Sequence, residues 1–144
     1  MVRVRVAALA VRKEKILLAR HVKANRSAYL LPGGGMESGE TAAESLTREL
    51  REEAGVESRV GDLRYVIEAR SLDGKRHILQ LVFAVKIDGE LGRSVDPRVA
   101  ECAWHPIGDL RTLRMHPDAG AAIAHDLAGG SQQACRYLLA PWRD

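Results

Sequence analysis

The chain has 144 residues, 46% of them apolar and 28% charged, with a formal charge of +3. That length holds one domain of ordinary size with a core of its own, and the composition is that of a soluble globular chain, which excludes a multidomain assembly, a fibrous repeat and a disordered tail. The longest apolar run, Val6 to Val11, is too short to span a bilayer and no secretory leader precedes it, so the expectation is a single domain over residues 1–144 in the cytoplasm, away from membranes.

Residues 1–30 carry eight Lys or Arg against Glu14 alone, a surplus of +7. These charges alternate with apolar residues along Val2 to Val11 and Lys15 to His21, as on solvated strand faces, and the polar Arg12-Lys13-Glu14 between them predicts a hairpin. A polar loop from Val22 to Ala28 leads to a short strand, Tyr29 to Leu31. Pro32-Gly33-Gly34-Gly35 follows, a run that neither a helix nor an ordinary strand tolerates, so the backbone must be bare there. Thr41 followed by Glu44 is a capping box, Ala42 to Ala54 is rich in helix formers, and Gly55 is a C-terminal stop; a helix is predicted between them. Leu63 to Ser71 and His77 to Ile87 read as a strand pair around the turn Asp73-Gly74. A strand is predicted near Trp104 to Ile107, a helix from Ala119 to Leu127 between Pro117 and the breaker Gly129-Gly130, and a closing strand from Gln133 to Leu139. No repeat or low-complexity block divides the chain, and the fold class is mixed α/β. Cys102 and Cys135 lie far apart outside any metal or disulfide pattern and read as buried or half-buried thiols.

The segment 31–57 reverses the charge of the first thirty residues, with seven Glu against Arg48 and Arg51, a balance of −5. Along the helix, Ala43, Leu46, Leu50 and Ala54 share an apolar arc, and Glu49, Glu52 and Glu53 fall together on the adjoining one. Glu44 stands four residues before Arg48, the spacing of a favourable ion pair. The three clustered carboxylates repel one another and sit near the end of the helix where its dipole also disfavours anions. A solvated charged face is the plain reading of a Glu-rich helix. Here the cluster sits at the unfavourable end, beside a glycine run, and broken local rules of that kind concentrate at functional sites. Carboxylates without nearby Cys or metal-spaced His select a hard cation, Mg²⁺ or Mn²⁺, which is commonly shared with substrate phosphates. The chemistry implied is hydrolysis of a phosphate ester, the ion bridging the phosphate charge and activating water.

Gly34, Glu40, Arg48, Glu49, Glu52, Glu53 and Gly55, with Leu50 and Val56 at two aliphatic positions, stand in the spacing G-x5-E-x7-R-E-U-x-E-E-x-G-U. This resembles the Nudix box of the Nudix hydrolase superfamily (MutT-like proteins) without a departure. At roughly 7% usage per fixed residue, seven matches arise by chance on the order of 10⁻⁸ times per start, so coincidence is no competitor. The approach Leu31-Pro32-Gly33-Gly34-Gly35 and the later Trp104-His105-Pro106-Ile107 with Asp109-Leu110 are also similar to the family.

The resemblance implies an α/β/α sandwich around a mixed β-sheet and cleavage of a nucleoside diphosphate linked to a moiety X. The products would be a nucleoside monophosphate and phosphorylated X. It implies divalent-metal ligands at Glu49, Glu52 and Glu53, with a backbone carbonyl near Gly33 or Gly34 as a further ligand. Arg48 would orient a neighbouring box carboxylate, Glu40 would support the loop or a further ion, and Gly34 and Gly55 would be structural. The general base lies either on the box helix or on a later loop, where Glu101, before Trp104, is the candidate. Arg20 and Arg26 are candidates for phosphate contacts, and Tyr29 is a candidate to flank a base or to pack in the core.

A nucleoside triphosphate or a nucleotide sugar is the substrate expected, with an ADP-ribose-type substrate as the alternative. Marks of the ADP-ribose, dinucleoside polyphosphate and coenzyme A groups are absent from their usual positions. A non-catalytic nucleotide-sensing domain is the other alternative, and stable nucleic-acid binding is not expected, because few aromatic residues accompany the basic first segment. A homodimer that builds part of the site stays open.

Overall fold

The computed structural model describes residues 1–129 and 134–143. Among these residues, nine strands form two sheets. The first has the order β5-β1-β7-β6-β9, made of Gly33–Gly35, Arg3–Leu9, His77–Asp88, Glu57–Arg70 and Arg136–Ala140. It is mixed: β1 runs parallel to β7 and β9 parallel to β6, and the other pairs are antiparallel. In the second sheet β3 (Lys15–Lys23) pairs with β2 (Val11–Arg12), β4 (Arg26–Leu30) and β8 (Val99–Pro106).

Both faces of the strands are covered. Val6, Ala8 and Ala10 pack with Leu46, Leu50 and Ala54 of helix α1 (Ala42–Ala54), and Ala7 and Leu9 join the cluster that holds Ile123 and Ala124 of helix α2 (Gly120–Ala128). Alternate residues of β1 therefore face opposite helices, which explains why Val6 to Val11 is almost continuously apolar. The resulting mixed α/β layering is the predicted architecture. No helix among the described residues is long and apolar enough to cross a membrane.

The start of the chain is divided differently from the predicted hairpin. Both edges of β1 are taken, by β5 and β7, so it cannot pair with β3. The chain leaves the first sheet at Ala10, and only Val11-Arg12 turns back onto β3, through Lys13 and Glu14, both left-handed (φ 50° and 63°). The predicted loop Val22–Ala28 is mostly strand, since β3 and β4 continue to a two-residue turn at Ala24-Asn25 with φ 52° and 61°. Both turns have the two left-handed centres that match the twist of a tight hairpin.

Strands β6 and β7 pair as predicted, although β6 starts six residues earlier and carries register shifts around Leu63 that its polar first half does not announce. Strand β8 starts at Val99 and therefore includes Glu101, which the sequence places in a loop. Helix α2 and β9 lie within one to three residues of expectation, with Gly130 and Gln133 outside the described residues. Cys102 is half-buried, but Cys135 is exposed, against expectation.

Candidate active site

Helix α1 is held at both ends. The Thr41 hydroxyl accepts the Glu44 N–H (3.1 Å) and the Glu44 carboxylate accepts the Thr41 N–H (2.9 Å), so Glu44 caps the helix instead of pairing with Arg48. At the other end Gly55 is left-handed (φ 61°) and donates to Arg51 O. The loop between β7 and β8 completes the cap, as Gly92 N–H donates to Ala54 O and Val95 N–H to Glu52 O, both at 2.7 Å. These bonds satisfy carbonyls that a helix end leaves orphaned, and they deliver the next residue, Asp96, to the acidic side of the helix.

Glu49 and Glu53, one turn apart, point inward with Leu46 and Leu50 and are 5% and 2% exposed. One oxygen each of Glu49, Glu53 and Asp96 lie within 4.8 Å of one another. Glu52 stands apart on the solvent side, its side chain 41% exposed, and Ala43, predicted on the apolar arc, is exposed. Bare backbone makes room for the buried pair. Gly33 N–H donates to Glu53 (3.2 and 3.4 Å), and a Cβ on Gly34 would sit 2.5 Å from the Glu49 carboxylate.

Arg48 organises the remaining charges. It binds Glu40 with two prongs, at 2.9 and 3.0 Å, and reaches Glu49 at 3.0 Å and Glu52 at 3.4 Å. This holds the Glu40 carboxyl below the usual carboxylate range, mainly through the Arg48 hydrogen bonds. Burial pushes Glu49 up despite Arg48, and pushes Glu53 up to about 8 despite the Gly33 N–H and the cation of Arg5. Glu49 Oε2 is buried and has no hydrogen-bond partner. A buried, unpaired carboxylate oxygen beside a second carboxylate that resists ionisation is an uncompensated cluster, and its all-oxygen donors suit a hard divalent cation.

Glu53 of this cluster, with Gly33 and Gly34, lines a cavity of about 390 Å³ that Arg3, Arg5 and Arg98 also line. Arg5 is 8% exposed, donates to Gln80, and is pulled below its usual pKa by burial. Arg98 grips Asp96 with two prongs (3.1 and 2.8 Å), which lowers the Asp96 pKa.

The other predicted site residues are spread around this centre. Arg20 sits in β3 with Glu101 opposite it on β8 and Tyr29 opposite it on β4; it lines neither described cavity. Tyr29 packs at the edge of the α2 core, its ring 5.5 Å from His105. Arg26 lines a neighbouring cavity. Glu101 is exposed in its strand, outside the acidic group.

Sequence reasoning missed Asp96, Arg98 and Arg5. Ser94-Val95-Asp96-Pro97 carries turn chemistry, and Asp96 N–H indeed bonds Ser94 Oγ (3.1 Å), but nothing local says that this turn docks on a helix end.

Residues 1–126 match the family model described as the NUDIX domain. An uncharacterised Nudix hydrolase of Bacillus subtilis is 32% identical over 81% of this chain and 73% of its own length. An ADP-ribose pyrophosphatase of Methanocaldococcus jannaschii is 36% identical over 60% of this chain, a match that spans about half (52%) of that protein. A NUDIX hydrolase from Nitrosomonas europaea shares the fold at a TM-score of 0.79, with 20% identity over 92% of each chain. With its box laid along α1 and its carboxylates gathered under bare glycine backbone, the chain belongs to the Nudix hydrolase family.

Proposed function

We propose that the chain is a divalent-metal-dependent pyrophosphohydrolase that cleaves a nucleoside diphosphate linked to a moiety X, a nucleoside triphosphate or a nucleotide sugar, to a nucleoside monophosphate and phosphorylated X. The observation that carries this reading is Glu49 Oε2, buried without a partner in a group of three carboxylates, one of which, Glu53, lines a cavity that Arg3, Arg5 and Arg98 also line. Glu49, Glu53 and Asp96 would hold the ion, with Glu52 from the solvent side and a backbone carbonyl near Gly34. Mg²⁺ is the ion assigned, with Mn²⁺ as a substitute, because both take oxygen donors. When bound, the ion supplies neutralisation of phosphate charge and activation of water.

The chain's own residues do the rest. Arg48 fixes the Glu40, Glu49 and Glu52 carboxylates in one frame, and Gly33 N–H fixes Glu53. Arg5 and Arg98 face the cavity as donors to phosphate oxygens. Glu52, half-exposed beside the buried pair, is the carboxylate set to accept a proton from water; Glu101 is the second candidate.

The test is a Mg²⁺-supported panel of nucleoside triphosphates, nucleoside diphosphate sugars, ADP-ribose and dinucleotides, with products separated by chromatography. A nucleoside monophosphate is the expected product. Mn²⁺ binding without turnover on any member would overturn the reading in favour of a sensing domain. ADP-ribose is the second reading, favoured by the likeness to the Methanocaldococcus jannaschii protein.

A further inference from the structure

A second cavity, of about 710 Å³, adjoins the first, and the two share His21, Leu30, Arg76, Arg98, His116 and Trp142. Six cations line it, Lys23, Arg26, Arg76, Arg98, Arg114 and Arg143, and no carboxylate among the described residues does. Four of the six are engaged within the protein, Arg98 with Asp96, Arg143 with Asp118, Arg76 over the Trp142 ring, and Arg114 as well. Lys23 and Arg26 flank the Ala24-Asn25 turn, are exposed, and have no ion-pair partner among the described residues.

The scissile pyrophosphate does not need this lobe, since Arg5 and Arg98 already face the first cavity beside the carboxylates. A neutral sugar would be a poor occupant. Each of its hydroxyls brings a donor as well as acceptor lone pairs, and the lobe's Lys and Arg side chains only donate, with no carboxylate among the described lining residues to take those donors. Guanidinium forks and ammonium groups converging on a cleft select phosphate.

Resting on the pyrophosphohydrolase reading, we propose that this lobe binds an additional phosphate of a small-molecule substrate, one outside the scissile pyrophosphate, so that the preferred substrates carry a phosphorylated group at a distance from the bond that breaks. Lys23 and Arg26 are its specificity-determining residues.

Matched probes isolate that one phosphate: NADPH against NADH, and coenzyme A against its 3′-dephospho form. Each pair shares its pyrophosphate and differs by a single remote phosphate. Binding is measured by titration calorimetry with Ca²⁺ in place of Mg²⁺, so that the result does not depend on turnover. In at least one pair the phosphorylated member should bind about tenfold tighter or more, the scale of one charge-assisted contact, with a preference that shrinks as salt rises. In a Lys23→Ala/Arg26→Ala variant that ratio should fall toward one, the larger loss falling on the phosphorylated member. Melting temperature checks the variant's fold, and if it does not fold the wild-type ratio decides alone. Equal affinities within both pairs, or a ratio that survives in the folded variant, would overturn the proposal. So would a short RNA carrying a 5′-linked NAD that binds more tightly than every small probe, since the lobe would then follow a nucleotide chain. Absence of hydrolysis on any Mg²⁺-supported substrate would instead strike the pyrophosphohydrolase reading, leaving the calorimetric ratio to report on the lobe.

Discussion

Arg48 meets Glu40 fork to fork, Nε to Oε2 at 2.9 Å and Nη2 to Oε1 at 3.0 Å, across eight residues of sequence. With Glu40 as its anchor, the same guanidinium has one nitrogen left for Glu49 and Glu52. Glu40→Gln should therefore act through Arg48, loosening both carboxylates, and Arg48→Lys should not rescue, because an ammonium cannot span the fork. Loss of such an orienting residue weakens metal affinity or turnover about 10- to 100-fold. Mn²⁺ titration and kcat for Glu40→Gln, Arg48→Ala and Arg48→Lys check this, and wild-type values in Arg48→Lys would refute it.

Two neighbouring glycines should fail in different ways. A Cβ on Gly33 would lie 1.9 Å from the Val6 carbonyl oxygen, a backbone atom fixed within the sheet. Gly33→Ala should thus cost about 3 kcal/mol or more of stability, seen as a lowered denaturation midpoint. A Cβ on Gly34 meets the Glu49 side chain, which can swing away at the expense of the cluster. Gly34→Ala should keep most of its stability and lose metal affinity. The order of the two in stability and in metal titration is the measurement.

The raised Glu53 fixes the sign of a pH effect. Its folded pKa of about 8 exceeds its ordinary value of 4.5, so the folded state holds a proton that the unfolded chain has lost. Stability from this group is complete below about pH 4.5 and declines as pH rises toward 8. Glu49 moves in the same direction. His21 and His116, pushed below 6.5 mainly by burial, act oppositely, but only in acid. In EDTA the melting temperature should fall between pH 6.5 and 8, and Glu53→Gln should flatten that fall. Stabilisation by added Mg²⁺ should be larger at pH 8 than at 6.5, because the ion requires ionised carboxylates.

Asp96 and Glu101 lie five residues apart on opposite sides of the start of β8, and only Asp96 joins Glu49 and Glu53. Asp96→Asn should lower Mn²⁺ affinity tenfold or more, and Glu101→Gln should leave it near wild type. If Glu101 is the base, Glu101→Gln will lower kcat alone; if Glu52 is, Glu52→Gln will show the larger kcat loss. Calorimetry and steady-state kinetics on the three variants separate these outcomes.

The box helix was legible because its signals are local: the Thr41–Glu44 cap, the Gly55 stop and the carboxylate spacing all act within one or two turns. The split of the first eleven residues between two sheets was not, since it depends on β5 and β7 occupying the edges of β1. Nor was the parting of Glu52 from Glu49 and Glu53. Helical periodicity puts the three on one arc, and tertiary packing decides that two point under the glycine backbone and one toward solvent. Asp96 and Arg5 escaped for the same reason, one arriving on a docked loop and the other from a strand whose charges alternate like a solvated face.

The hydrogen bonds from Gly92 and Val95 onto the end of α1 also tie a local pair of carboxylates to a distant one. Glu49 and Glu53 are brought together by a single turn of helix, but Asp96 joins them across the whole β6–β7 hairpin, through the loop docked on the helix end. A cation held by all three therefore bridges a local element and a long-range one. Its capture rewards completion of the fold as well as readiness for the substrate.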